Sequence, residues 1–363
     1  MLMLVMSSSL LGLFIGWEGV GLCSYLLIGF WYQKGWPAEA GQKAFVVNRI
    51  GDACFVIGSF LLVQLFGTLD LSDIGAGVAT LLEDGGHSTQ LMLAALLLFG
   101  GACGKVSVFP FQFWVPDVYQ GSPTPVTVFM ATGTKAAAFA FLMKVVFLLP
   151  ASAAGVLGVM AIVTMAIGNL GALIQEDLKR MLGYSSVAHA GTLLLVVTAS
   201  LAGDPQAGAP LQAALYYMAA YVFTAAGAFG LIAVLEGSGE HFTKLESLRG
   251  LGTRRPMLAG ALSLFMLSLG GFPATGGFFG KYFVFSSTLR ADMTMVSVLG
   301  VLLSVVALGY YLRVILTMWM RPEKEGQAAP SAYRPAANFA TGLCVFFVLA
   351  LGFAPGWFLE RFF

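Results

Sequence analysis

Five basic residues stand in long apolar stretches where a charge has no water to turn to: Lys105, Lys135, Lys144, Lys281 and Arg313. Glu18 has the same kind of setting, LFIGWEGVGLCSYLL, and Asp52 lies about two turns into the next apolar stretch. On insertion scales a charge at the centre of a hydrocarbon layer costs at least ~2.5–3.5 kcal/mol, so several in one chain need a reason. The chemistry they offer is proton chemistry. Taking an amine out of water disfavours its charged form, and such an amine can take up and release a proton near neutral pH. Glu18, Lys105 (LLLFGGACGKVSVFPF), Lys135 (PVTVFMATGTKAAAFAFLM) and Lys281 (SLGGFPATGGFFGKYFVF) each lie close to the middle of their stretch. A single structural ion pair uses two of the four and leaves lysine in excess.

Other titratable groups carry a weaker signal. Arg49 and Asp52 are spaced i, i+3, which suits a local ion pair on a helix as well as a functional one. Lys144 is near the end of its stretch and can reach the interface along its stem, and Arg313 is similarly placed. His189, in YSSVAHAG, fits either a local hydrogen bond or a proton relay. For Tyr216, Tyr217 and Tyr221 aromatic packing is the default reading. His87 and His241 fall in loops. The four cysteines stand singly in apolar segments, with no spacing for a metal or a disulfide frame. The sequence has no GxGxxG after a strand, no Walker loop and no CxxC or haem pattern.

These residues need a bilayer to make sense. The chain is 58% hydrophobic and 10% charged, with mean hydropathy +0.85, against about 25% charged for an average soluble domain. The net charge of +1 gives no field for nucleic acid. About 20 apolar residues cross a hydrocarbon core of ~30 Å. On that measure residues 1–363 form a single transmembrane domain with ten spans, near 9–32, 44–66, 90–113, 124–149, 153–175, 180–200, 209–235, 257–288, 293–318 and 337–358. Residues 1–6 read as the tail of a further helix. The fold expected is an all-α polytopic membrane protein.

Two spans carry helix-weakening residues beside a lysine. Gly100, Gly101 and Gly104 precede Lys105, and Pro110 follows it. Gly270, Gly271, Pro273, Gly276, Gly277 and Gly280 precede Lys281. Broken helices at membrane depth are tolerated only against protein or water, and ion transporters use them. The glycines around Glu18 (Gly12, Gly16, Gly19, Gly21) read instead as a close helix contact. With the 33–43 loop placed in the cytoplasm, the inner loops and flanks hold Lys34, Lys43, Arg49, Lys179, Arg180, Lys244, Arg249, Arg254, Arg255, Arg321, Lys324 and Arg334. The outer side holds Arg290 and Arg361, and the acidic loop 67–89 with Asp70, Asp73, Glu83 and Asp84. That asymmetry fixes the orientation and puts the C-terminus outside. The 236–256 stretch suits a short amphipathic surface helix.

The residues also carry a family likeness. GWEGVGLCSYLLIGFWY (16–32) and KAFVVNRIGD (43–52) resemble the L-type antiporter-like subunit of complex I, the proton-pumping NADH:quinone oxidoreductase. FPFQFWVPDVYQGSPTPVTVFMATGTKAAAFAFLMK (109–144), GNLGALIQEDLKRMLGYSSVAHAG (168–191) and LSLGGFPATGGFFGKYFVF (267–285) are more similar to the N-type subunit. The same family includes the large subunits of multi-subunit Na+/H+ antiporters. The resemblance implies an inverted-repeat fold of fourteen core helices, of which this chain supplies the fifth to the fourteenth and lacks the first. Helices seven and twelve, the broken ones, then fall on Lys105 and Lys281. It implies a proton path through Glu18, Lys105, Lys135, His189 and Lys281, with Asp52 and Arg49 as further candidates, and a Glu18–Lys105 pair that sets the charge of the lysine. It also implies a translocase subunit in the cell inner membrane, without a cofactor in this chain. NADH, FMN, iron–sulfur clusters and quinone would belong to partner subunits, and the contacts would be other membrane subunits and lipid. A subunit of a cation/proton antiporter or of a membrane-bound hydrogenase complex, or a non-conducting fragment, are the alternatives left open.

Overall fold

Two local signals start the first long helices. The Ser9 side chain accepts the Gly12 amide and caps the helix Leu10–Ile28 (α2), which follows a single turn, Leu2–Met6 (α1). Proline near the first position opens Trp36–Phe66 (α3), and Gly67, in the left-handed region, ends it. The 33–43 segment expected as a loop is therefore helical from Trp36. The acidic stretch that follows also holds a helix, Leu71–Glu83 (α4), where the sequence suggested a loop. The remaining helices are Thr89–Val106 (α5), Val115–Gly121 (α6), Thr124–Phe129 (α7), Lys135–Val145 (α8), Ala154–Leu173 (α9), Leu178–Ala202 (α10), Ala209–Glu236 (α11), Leu251–Arg254 (α12), Pro256–Gly270 (α13), Gly276–Arg290 (α14), Thr294–Met320 (α15), Pro335–Phe353 (α16) and Pro355–Phe362 (α17). This computed structural model describes residues 1–83, 89–203, 209–236, 243–323 and 335–362. Asp84, His87, Glu240, His241, Lys324 and Arg334 lie outside the described residues.

Among the described residues, nine helices are long and apolar enough to cross a membrane. A further crossing is made in two halves by α13 and α14, separated by the turn at 271–275. A second break ends α5 at Val106, and the chain resumes as helix in α6. Ordinary side chains sit in the left-handed backbone region at both breaks, Ser107 at φ 69° and Ala274 at φ 68°. Such conformations cost about 1 kcal/mol or more and persist only where the surroundings hold them. A third irregularity was not foreseen: Met130–Thr134 forms a π-helical turn that joins α7 to α8 just before Lys135. In 243–256 the described residues form a 3-10 turn at Leu245–Leu248 and α12, rather than one amphipathic helix.

Small residues bring the helices that matter within touching distance. A β-carbon on Gly101 would lie 2.8 Å from the Gly51 carbonyl, so α3 and α5 pack backbone to backbone, as membrane helices do through glycine. That contact places Asp52 opposite the end of α5. Around Glu18, Gly16 takes the backbone of Leu4 in α1 in the same way, whereas Gly19 faces open space.

Candidate functional site

The first cluster lies between α2, α3 and α5. Lys105 donates to the Trp17 carbonyl at 2.5 Å and stands 4.0 Å above the centre of the Trp17 ring. Its carboxylate neighbour is Asp52, at 3.8 Å. The other end of Trp17, the indole N–H, donates to Asp52 at 2.6 Å. Arg49 lies 3.5 Å from Asp52, confirming the i, i+3 pair, and 3.1 Å from Glu18. The expected Glu18–Lys105 pair is therefore replaced by a series, Glu18–Arg49–Asp52–Lys105. The reason is helical phase. Glu18 is one residue beyond Trp17, so it turns about 100° away and meets the face of α3 that carries Arg49. Asp52 is the buried member, 4% exposed at its side chain against 27% for Glu18.

The second cluster surrounds Lys135 and His189. Lys135 is 3% exposed and donates to both the carbonyl and the hydroxyl of Ser186, at 2.6 and 2.5 Å. The Ser186 hydroxyl also meets the phenols of Tyr221 (2.9 Å) and Tyr119 (3.2 Å). One turn along α10, His189 hydrogen-bonds Tyr217 at 2.5 Å and Tyr311 at 3.2 Å, and Tyr311 also meets Ser185 at 2.5 Å. Tyr217, expected as aromatic packing, is thus a hydroxyl partner of His189, and the Tyr221 hydroxyl meets Ser186, which holds Lys135. Tyr216 lies apart and donates to the Leu351 carbonyl. Between the two clusters is a cavity of about 30 Å³, lined by Lys105, Trp114, Ser24 and Thr134. About 10–15 Å³ of such space holds one water.

Lys281 closes the row. It is 8% exposed and donates to the Gly270 carbonyl at 2.9 Å, at the C-terminal end of the half-helix α13. The negative end of a helix dipole suits a cation there. The lysine also lines a groove of about 510 Å³ between α14 and α15, which reaches the surface at Tyr282 and Leu289. Neither Lys135 nor Lys281 has a carboxylate within 4.0 Å among the described residues.

The remaining basic groups sort differently. Lys144 donates to the Val5 and Ser7 carbonyls at the end of α1, and Arg313 donates to the Leu173 and Gln175 carbonyls at the end of α9. Both close helix ends. Lys179, expected in a loop flank, is buried at 1% exposure. The sequence carries one sign of that: Asp177, a residue type that caps helices, stands two residues before it, and the expected span at 180–200 follows directly.

Amines inside apolar helices and at their breaks, one held among hydroxyls and one at the end of a series of charges, define a polytopic membrane protein with polar clusters in its interior. The chain belongs to the NADH:quinone oxidoreductase/Mrp antiporter transmembrane family, whose model matches residues 7–307. It is 38% identical over 358 residues to NADH-quinone oxidoreductase subunit N 1 of Solibacter usitatus, covering 98% of this chain and 72% of that protein. It is 39% identical to NADH-quinone oxidoreductase subunit N 2 of Roseiflexus castenholzii, with the same coverage. These matches run through residues 16–52 as well as the later segments. A chain of respiratory complex I from Thermus thermophilus with bound aureothin superposes with a TM-score of 0.84 at 35% identity, over 99% of this chain and 76% of that one. The archaeal membrane-bound sulfane sulfur reductase shares the fold, with a TM-score of 0.86 at 24% identity over 98% and 70%.

Proposed function

We propose that this chain moves protons across the cell membrane as an antiporter-like subunit of an NADH:quinone oxidoreductase, driven by electron transfer in partner subunits. The observation that carries the reading is the row Lys105, Lys135, Lys281. Lys135 and Lys281 are buried and Lys105 nearly so, each lies at or beside a helix irregularity, and Lys135 and Lys281 are held by carbonyl or hydroxyl oxygens instead of carboxylates. A group held that way can change its charge without stranding a buried counter-charge.

In this reading Asp52 sets the state of Lys105. At 3.8 Å and an effective dielectric of about 20, a carboxylate favours the ammonium by about 4 kcal/mol, well above thermal energy. A shift of Arg49 toward Glu18 or toward Asp52 changes how much of that attraction reaches Lys105. When the attraction weakens, the Lys105 proton passes through the cavity toward Thr134 and Lys135. His189, with Tyr217 and Tyr311, continues the row, and Lys281 exchanges at its groove. The positively charged loops face the cytoplasm and the C-terminus lies outside.

The test uses the whole complex in sealed vesicles, with electron transfer and dye-reported proton movement followed together. Lys105→Ala is expected to leave assembly intact and to remove this chain's protons from each turnover. An unchanged proton yield per electron overturns the reading.

A further inference from the structure

A second buried ion pair lies at the end of the bundle that carries Lys43, Arg180 and Lys244. The Lys179 ammonium stands 4.0 Å from Glu236, with the two side chains 2% and 10% exposed. Lys179 also donates to the carbonyl of Ser122, just past α6, at 2.8 Å. The Thr124 hydroxyl donates to the other oxygen of Glu236 at 2.5 Å. Four helices, α6, α7, α10 and α11, therefore meet at this pair. Outside it, Asp117 accepts from Arg180 at 2.6 Å and from Lys43. Exposure falls from 40% at Lys43 through 14% at Asp117 to 2% at Lys179.

Burying two charges is a poor way to pin helices, because desolvation offsets most of the attraction. Two observations give the pair another use. Hydroxyl side chains continue inward from it: Ser122 meets Thr127 at 2.8 Å, Tyr119 meets Ser186 at 3.2 Å, and Ser186 meets Lys135 at 2.5 Å. Lys179 and Ser186 are also seven residues apart on α10, so they share a face and lie about 10 Å apart along its axis. The pair thus stands directly above the group that holds Lys135.

We propose that the Lys179–Glu236 pair is where protons enter from the positively charged end, and that the hydroxyls of Thr124, Ser122, Thr127, Tyr119 and Ser186 lead them to Lys135. This rests on the proton-translocation reading above. Glu236 takes a proton from water, and the neutral carboxyl releases Lys179. Its proton passes to the hydroxyl series, in which each oxygen accepts one proton and gives up another. Ser186 hands a proton to the neutral Lys135 amine, and Glu236, again a carboxylate, pairs with Lys179. One proton enters and one arrives. Two steps have no direct hydrogen bond: Thr124 to the Ser122 hydroxyl, two residues before it, and Thr127, which ends on the carbonyls of Tyr119 and Pro123, to the Tyr119 phenol. A side-chain rotation or water must bridge each of them for the series to conduct.

The experiment follows protons per electron in the whole complex in vesicles, with Lys135→Ala as reference. Glu236→Gln keeps the shape and removes the proton carrier; it is expected to lose this chain's protons, and Glu236→Asp to restore them. The double variant Lys179→Met, Glu236→Gln removes both charges, so a merely structural pair would be rescued by it; it is expected to stay defective. Wild-type proton yield in the double variant, with Lys135→Ala defective, overturns the entrance and leaves the translocation reading standing. Wild-type yield in Lys135→Ala overturns the reading itself, and the entrance with it. If Glu236→Gln does not assemble, Thr127→Val decides: a loss of protons supports the series, and a full yield sinks it.

Discussion

Asp52 faces Lys105 across 3.8 Å, nearer than any other carboxylate among the described residues. The more conspicuous acid in the sequence, Glu18, is one step removed, behind Arg49. Asp52→Asn is therefore expected to cut proton movement per electron more deeply than Glu18→Gln. Asparagine keeps an acceptor for the Trp17 indole, so the fold is spared while the charge beside the lysine is lost. Glu18→Gln should give a partial defect, because Arg49 then turns wholly to Asp52. Parallel vesicle assays of the two variants decide; an equal defect, or a larger one in Glu18→Gln, removes Asp52 from its place.

Ser186 is the junction of the central cluster, with Lys135, Tyr119 and Tyr221 on one hydroxyl. Ser186→Ala leaves Lys135 its carbonyl partner but takes an acceptor or donor from two buried phenols. Each buried polar group left unsatisfied costs about 1–3 kcal/mol. The assembled complex should lose thermal stability measurably, and proton movement should slow while electron transfer continues in uncoupled vesicles. Tyr216→Phe is the control. Its hydroxyl donates to Leu351 outside the row, so it should cost stability and leave the proton yield unchanged.

The membrane, the broken helices and the amines were legible because each leaves a one-dimensional trace: apolar length, glycine and proline beside a lysine, a charge where none belongs. The partners were not. Whether Lys105 meets Glu18 or Asp52 depends on helical phase and on the Gly51–Gly101 contact, which only packing fixes. Ser186, Tyr217 and Tyr311 look like ordinary residues of a membrane helix until α10, α11 and α15 are brought together. Lys179 stands at the helix flank where it was expected, but its burial was not legible, because a basic residue at a helix start reads as solvent-facing and its buried partner Glu236 is far away in sequence. The π turn at 130–134 left only a faint sign, the threonines and glycine of ATGTK.

The break between α13 and α14 depends on a contact that admits no side chain. A β-carbon on Gly277 would lie 1.8 Å from the Ser268 carbonyl oxygen, across the gap between α13 and α14. Gly277→Ala must push the two halves apart, and overpacking of this kind costs about 1–3 kcal/mol or more. Lys281 would then lose its place at the Gly270 carbonyl. The variant complex is expected to melt earlier and to lose this chain's protons. Gly260→Ala, whose β-carbon meets nothing within 4 Å, should behave as wild type. A Gly277→Ala complex with native stability would show that the halves do not pack as described.

Orientation can be tested at two exposed positions on opposite ends. Ser72, in α4, follows the acidic stretch at Asp70, and Lys244 lies among the basic residues beside Asp177. The excess of lysine and arginine at the second end places it in the cytoplasm. Single cysteines at Ser72→Cys and Lys244→Cys are therefore expected to react oppositely with a thiol reagent that cannot cross membranes. In intact cells Ser72→Cys should label and Lys244→Cys should not; in inverted vesicles the pattern should reverse. The native cysteines Cys23, Cys54, Cys103 and Cys344 all lie within helices of apolar sequence and should stay unlabelled in both. Labelling of Lys244→Cys from outside would invert the chain, and the buried pair at Lys179 and Glu236 would then open to the exterior instead of the cytoplasm.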